Sequence, residues 1–436
     1  MSYTKVVVVG GGFGGLHVTQ GLKKADVDIL LIDRNNHHLF QPLLYQVATA
    51  ALSPSNIAIP LREIFRNQPN ASVIMADIVQ INKEEKYVQS FTGEKFYYDY
   101  LVIAIGSRHS YFGNNQWEPL APGLKTIPDA IRIRESILMS FENAEKCDSF
   151  KEIANYLRFV IIGGGPTGVE MAGSIAEIAK KSLFNNFRRI KPEQSEIYLI
   201  EGEKQILPTY PPSLSAKALK DLEQMGVNVM LNAKVTNVTE DGVYIGDKFI
   251  ATKNVIWAAG NQVPPLLKTL NVELDRQGRA IVEADMSLPG HPEIFVVGDA
   301  AHVGDNGKTL PGIAPVAIQE GKYVSKIIAK KTPQDQRKPF KYFDKGSMAT
   351  IGKARAIAMM GKGKVLLSGF IAWLAWCFLH IFYLISFRNR LIVMIEWFYW
   401  YLTNLRPVRI ISRPIDEIYK TEKKELDKKQ SDNNSK

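Results

Sequence analysis

An apolar strand running into the spacing G-x-G-x-x-G occurs twice in this sequence, at residues 5–15 and 158–168, and a run of 23 uncharged residues covers 365–387. These observations predict an α/β fold with two Rossmann-like dinucleotide-binding domains and a C-terminal amphipathic-helical membrane anchor. The length of 436 residues fits two or three domains of roughly 100–200 residues each.

The first pattern is K-V-V-V-V-G-G-G-F-G-G, with Gly10, Gly12 and Gly15 at the three glycine positions. Val6 to Val9 reads as a buried strand entering a turn and is too short for the apolar part of a signal peptide. Residues 16–24 read as a helix. V-D-I-L-L-I-D is then the second strand, ending at Asp33, 18 residues past Gly15. The glycines make the turn and let backbone approach a pyrophosphate at the helix N terminus. The acid, expected after about 20 residues, accepts hydrogen bonds from a ribose hydroxyl.

The second pattern, R-F-V-I-I-G-G-G-P-T-G-V-E, places Gly163, Gly165 and Gly168 in the same positions. Its acid, Glu201, comes 33 residues after Gly168, an excess assigned to a longer helix and the basic stretch 180–191. A carboxylate there repels a 2′-phosphate and favours NADH over NADPH, although Arg188 and Arg189 lie nearby in sequence. Two such folds imply two dinucleotides, one prosthetic and one substrate, which is the chemistry of hydride relay through a flavin.

Composition narrows the alternatives. A net charge of +10 without any nucleic-acid module points to anionic lipid or anionic cofactors. Mean hydropathy of -0.09 excludes a polytopic membrane protein. Cys147 and Cys377 form neither a C-x-x-C pair nor a disulfide framework, which suits a reducing compartment. No cysteine stands between Arg34 and Tyr45, so a thiol relay beside the flavin is not expected, nor is an iron–sulfur cluster. His37, His38 and His380 have no metal-ligand spacing and are expected to be structural; no metal site is expected.

Within the uncharged run, Trp373, Trp376 and Tyr383 favour the headgroup zone, while Ser368, Gly369 and His380 interrupt a continuous span. Arg388 and Arg390 follow, then an aromatic-rich stretch at 391–402 broken by Glu396, then Arg406, Arg409 and Arg413. Such interleaving suits a helix lying in the interface, held by burial and anionic lipid together, more than a transmembrane span or a core helix. Residues 421–436 read as a disordered, solvated tail.

D-Y-L-V-I-A-I-G (99–106) and I-F-V-V-G-D-A-A (294–301) complete the signatures of the two-dinucleotide-binding flavoprotein oxidoreductases. Within that superfamily the chain resembles the type II NADH:quinone oxidoreductases. The resemblance lies in H-H-L-F-Q-P-L-L-Y-Q-V-A-T (37–49), S-Y-F-G (110–113), A-P-V-A-I-Q-E-G (314–321), G-S-M-A-T-I-G (346–352) and F-R-N-R (387–390).

This resemblance implies FAD as cofactor, NADH as substrate, quinone as acceptor and no proton pumping. It implies an FAD domain at 1–118 and 288–340, an inserted NADH domain at 155–287 and a membrane-anchoring region at 341–420. The chain would be peripheral, on the cytoplasmic face of the cell membrane, with a homodimer as a further expectation. FAD contacts are expected at Gly10, Gly12, Phe13, Gly14, Gly15, Asp33, Arg34, Ile78, Gly106, Asp299 and Ala317. NADH contacts are expected at Gly163, Gly165, Pro166, Thr167, Gly168, Glu201 and Gly260. Glu170 matches a family glutamate near the nicotinamide that handles protons; otherwise it is an acid favoured by the helix dipole. Ala314, Pro315 and Gln319 carry the quinone motif, usually A-Q-x-A-x-Q, in which Pro315 replaces the first glutamine. Two other readings fit the motifs: a flavin reductase with a soluble acceptor, and a non-catalytic NADH-sensing flavoprotein.

Overall fold

The computed structural model describes residues 3–305, 308–361 and 364–413, so the expected tail at 421–436 lies outside the described residues. Val6 to Val9 of β1 (Thr4–Val9) are all buried, as a parallel strand covered on both faces must be. It lies within a six-stranded sheet with β2 (Val27–Asp33), β3 (Ala71–Met75), β4 (Tyr100–Ile103), β9 (Ser287–Leu288) and β10 (His291–Val296). The order is β9–β10–β4–β1–β2–β3, parallel except for β9.

A second sheet, wholly parallel, joins β5 (Arg158–Ile162), β6 (Glu196–Ile200), β7 (Val227–Met230) and β8 (Asn254–Trp257) in the order β7–β6–β5–β8. All four strands fall in sequence between β4 and β9, so the second lobe is nested in the first. The chain leaves and returns through two paired segments, Arg108 opposite Gln262 and His109 opposite Asn261. In both sheets the strand order reverses beside the first strand, which is where α/β sheets bind ligands.

α1 (Phe13–Gly21) starts three residues before the expected helix, because the glycine turn itself winds into it. α2 (Ile127–Lys146) opens on a capping box between Thr126 and Asp129. α3 (Pro166–Glu177) runs on as a π turn over Ile178–Ser182 and then an irregular loop, which accounts for the long interval to Glu201. α4 (Ala314–Ala329) crosses α1 so closely that a Cβ at Gly321 would lie 2.5 Å from the Gly14 carbonyl oxygen.

The C-terminal region begins with an antiparallel sheet of β11 (Ser347–Gly352), β12 (Arg355–Met360) and β13 (Val365–Ser368). α5 (Gly369–Tyr383) and α6 (Phe387–Thr403) follow. The uncharged run therefore divides into a strand, a helix and the start of another, with a break at Ser386, whose φ is +75°. The 15 residues of α5 extend about 22 Å, short of a bilayer core of about 30 Å. No helix among the described residues is long and apolar enough to cross a membrane.

Arg406, Arg409 and Arg413, expected at anionic lipid, meet protein instead, because the segment after α6 folds back onto α3 and α2. Arg406 is 2% exposed, pairs with Glu177 at 3.0 Å and donates to the Thr49 carbonyl at 2.6 Å. Arg409 donates to the Ser182 carbonyl at 2.8 Å, where the π turn ends, and Arg413 pairs with Glu135 at 2.7 Å. Guanidinium groups suit this role because several donors on one plane can meet carbonyls and carboxylates together.

Candidate active site

The two glycine turns are built alike. A Cβ at Gly10 (φ +106°) would lie 2.3 Å from the Ala104 oxygen, and one at Gly15 would lie 1.8 Å from the Gly10 oxygen. In the second turn, a Cβ at Gly163 (φ +108°) would meet Ala258 at 2.8 Å and one at Gly168 the Gly163 oxygen at 1.8 Å. The middle glycines differ: a Cβ at Gly12 or Gly165 would have nothing within 4 Å. Both have φ near -70°, open to any residue. The outer glycines are thus required by the protein's own packing, while the middle ones leave a cradle that a Cβ would fill. That geometry fits a pyrophosphate against each helix N terminus.

Each acid stands at its turn. Asp33 accepts from the Gly11 N–H at 2.6 Å and the Asn35 N–H at 2.6 Å. Glu201 accepts from Gly164 at 2.6 Å and Glu203 at 2.8 Å. Arg188 and Arg189 turn away from Glu201. Their N–H groups donate to Glu145, and their side chains go to the Asn185 carbonyl and to Asp148. Pro166 occupies the first position of α3, followed by Thr167. Gly260 (φ +71°) is overhung by Phe112, whose ring would be 2.5 Å from a Cβ there.

On the first sheet, Gly14 and Phe13 open α1, while Arg34 is exposed beside Asp33 and Ile78 is buried opposite Ser90 in a small side sheet. Asp299 lies in the turn after β10, where it accepts from the Ser107 hydroxyl at 2.6 Å; Ser107 in turn accepts from Lys125 at 3.2 Å. Gly106 (φ +65°) has open space where its Cβ would be. Ala317 of α4 abuts Gly298, leaving 3.3 Å to a Cβ there. The neighbouring Glu320 accepts from the Gly298 N–H at 2.5 Å, and burial pushes its carboxyl up to about 8.

Glu170 sits on α3 with its carboxyl raised to about 8 by burial, opposed by the Thr350 N–H. Gln319 does not present a free amide: its Nε2 donates to the Phe343 carbonyl and its Oε1 accepts from the Phe343 N–H, each at 2.9 Å. Ala314 and Pro315 form the first turn of α4, where proline's missing N–H costs nothing. Burial pushes the Cys377 thiol up to about 12, leaving it unreactive.

The sequence from residue 4 to 321 matches the family described as pyridine nucleotide-disulphide oxidoreductase, and residues 345–404 match the NDH2 C-terminal domain. A type II NADH:quinone oxidoreductase of Mycobacterium tuberculosis is 42% identical over 410 residues, covering 90% of this chain and 86% of that one. The chain belongs to the type II NADH:quinone oxidoreductases. A probable NADH dehydrogenase of Dictyostelium discoideum is 32% identical over 90% of this chain and 88% of its own. Among solved structures, NDH2 from Plasmodium falciparum in complex with NADH superposes with a TM-score of 0.86, at 21% identity, over 94% of this chain and 100% of that one. The sulfide:quinone oxidoreductase of Aquifex aeolicus shares the fold at a TM-score of 0.72 and 18% identity, covering 89% and 92%.

His38 is structural as expected: it is buried and bonds through Nδ1 to the Gly11 carbonyl at 2.9 Å, so it buttresses the first glycine turn. Other side chains near the first turn have no role assigned from the sequence. Ser107, Lys125 and Glu320 surround Asp299. Only Glu320 left a signal, as an acid on the buried face of an apolar helix.

Proposed function

We propose that this chain oxidises NADH and reduces quinone to quinol at a membrane surface, without moving protons across it. The observation that carries the reading is the doubled glycine turn whose middle positions stand open, each with its own acid, in a chain of this family. FAD, when bound, accepts the hydride of NADH and passes two electrons to quinone. Gly10 to Gly15, Asp33 and Asp299 would hold it, with Gly106, Ile78, Arg34 and Ala317 around it. Gly163 to Gly168 with Glu201 and Gly260 would hold NADH. Among the described residues Glu201 pairs with no cation and accepts from the Gly164 and Glu203 N–H groups, which favours NADH over NADPH.

The balance is NADH + H⁺ + quinone → NAD⁺ + quinol, so one proton must come from outside the dinucleotide. Glu170, which holds a proton at neutral pH, is suited to keep it. Gln319 acts by position: its two hydrogen bonds to the Phe343 backbone tie α4 to the segment leading into the C-terminal region, beside the acceptor.

The surface supports docking on lipid. Phe370, Ile371, Leu374, Phe378 and Phe382 line the outer face of α5, and Leu391, Met394, Ile395, Phe398 and Leu402 that of α6; all are exposed. Two adjacent helices with apolar outer faces suit insertion to the acyl boundary, on the cytoplasmic face where NADH is made. A homodimer covering the same helices is the competing arrangement, and sedimentation with and without liposomes separates the two.

The test is anaerobic. NADH should bleach the flavin absorbance of the purified holoprotein, and a short-chain quinone should restore it over many turnovers. Reduction by NADH without reoxidation by quinone would refute the acceptor and favour a soluble one. In sealed vesicles, NADH-driven acidification would refute the absence of pumping.

A further inference from the structure

An indole nitrogen can only donate, and this orients a chain of buried hydrogen bonds between α6 and α3. Trp397 Nε1 donates to Gln46 Oε1 at 2.7 Å. The amide of Gln46 is thereby held with its NH₂ group toward Tyr45, whose oxygen accepts at 2.8 Å. All three side chains are buried. With a donor already facing it from Gln46, the Tyr45 hydroxyl must send its own hydrogen elsewhere.

Tyr45 lines a small internal cavity together with Glu170, Glu177, Trp376, Cys377 and Arg406. It leaves about 10 Å³ for solvent centres, the room of about one water. Two of its walls carry donors without a partner among the described residues, Trp376 Nε1 and Arg406 Nε, on side chains 2% exposed. The carboxylate of Glu177 already accepts from Arg406 and the Lys353 N–H, at 3.0 and 2.6 Å. Glu170 lines the same cavity and offers a carboxyl engaged by the Thr350 N–H alone among the described groups.

We propose that this cavity binds one water, which accepts from Tyr45 and from the Trp376 or Arg406 N–H and donates to Glu170. Trp397, on the apolar helix α6, sets the direction of that chain. The proposal rests on the reading of Glu170 as the group that keeps the proton. A donated hydrogen favours the carboxylate form and works against burial, so the chain tunes when Glu170 releases its proton. The other groups that face Glu170 are the Thr350 N–H, Tyr210 and Tyr45, while Cys377 and the Glu177–Arg406 pair line the same cavity. Because α6 turns its other face outward, whatever seats that face bears on the Glu170 proton.

The test is an infrared pH titration of the holoprotein, with the Glu170 carboxyl band identified by its loss in Glu170→Gln. Tyr45→Phe should raise the midpoint by about one pH unit, the size of a lost hydrogen bond to a charged group. Trp397→Phe frees the Gln46 amide to flip and accept from Tyr45, so it should shift the midpoint the same way. The double variant should match Tyr45→Phe alone, with FAD content as the check on folding. Unmoved midpoints in both single variants, or shifts that add, would overturn the chain. A Glu170→Gln protein with the wild-type pH–rate profile would instead refute the proton-keeping role, because the titration does not depend on turnover.

Discussion

Replacing Arg406 with methionine should destabilise the protein by several kilocalories per mole, because it strands Glu177. Both partners are nearly inaccessible, at 2% and 4% side-chain exposure. Breaking such a pair from one side costs about 3–5 kcal/mol, since the remaining carboxylate stays buried without its counter-charge. The lost bond to the Thr49 carbonyl adds to this. Unfolding entropy is roughly 2.1 cal/mol/K per residue, so 436 residues melting as one unit give about 0.9 kcal/mol per degree. A loss of 4 kcal/mol then lowers Tm by about 4 °C, and by more if the C-terminal region melts separately. The assay is thermal release of flavin fluorescence from holoprotein in detergent, for Arg406→Met, Glu177→Met and the double variant. The double should be no less stable than Arg406→Met, because two apolar side chains replace the pair without a stranded charge. A Tm change below about 1 °C, or a double variant less stable than Arg406→Met, would refute the reasoning.

Gly12→Ala should fold with a normal melting profile but lose FAD, and Gly165→Ala should keep FAD but raise KM for NADH. Gly15→Ala, whose Cβ would meet the Gly10 oxygen at 1.8 Å, should instead fail to fold; cofactor content and circular dichroism tell these apart. Glu170 and Glu320 both titrate near 8 in the folded protein, against an ordinary value of 4.5. The folded chain therefore keeps protons that the unfolded chain has lost. Each group's contribution to stability is present below about pH 4.5 and is lost as pH rises to about 8, by up to about 1.4 kcal/mol per pH unit. Urea midpoints across that range should show a shallower fall for Glu320→Gln than for wild type. Phe378→Asp with Phe398→Asp should release the protein from liposomes while leaving reduction of its flavin by NADH intact. Neutralising Arg409 should leave the anionic-lipid dependence of co-sedimentation unchanged, because that side chain is engaged by protein, whereas neutralising the exposed Arg388 should weaken it.

The two glycine turns and their acids are legible in the sequence because their requirements are local. A tight turn, a helix N terminus and an acid at a strand end all lie within one βαβ unit, so spacing alone announces them. The strand V-D-I-L-L-I-D ends at Asp33 in the structure as in the pattern, and the excess before Glu201 is the predicted longer helix, prolonged by a π turn. The C-terminal arginines were misread because a row of cations beside apolar helices has the same composition whether it meets phosphate headgroups or the carboxylates of α2 and α3. Only the return of the chain decides between them. The Asp299 surroundings were hidden for the same reason: Ser107 and Lys125 stand 192 and 174 positions away in sequence.

The contacts that spacing could not reveal are those that join the C-terminal region to the glycine turns. α3 begins at the glycine turn expected to hold NADH and ends at Glu177, clasped by Arg406; midway it carries Glu170. Gly173 on the same helix lets the Ile351 carbonyl of β11 approach so closely that a Cβ there would lie 1.7 Å away. Trp397 reaches from α6 to Gln46, in the segment that follows the first glycine turn. A C-terminal region that served only to tether the protein would need none of these bonds. Its inner face completes the wall around Glu170 while its outer face remains apolar and exposed, so on the proposed function one pair of helices would both seat the protein and close the site where Glu170 keeps its proton.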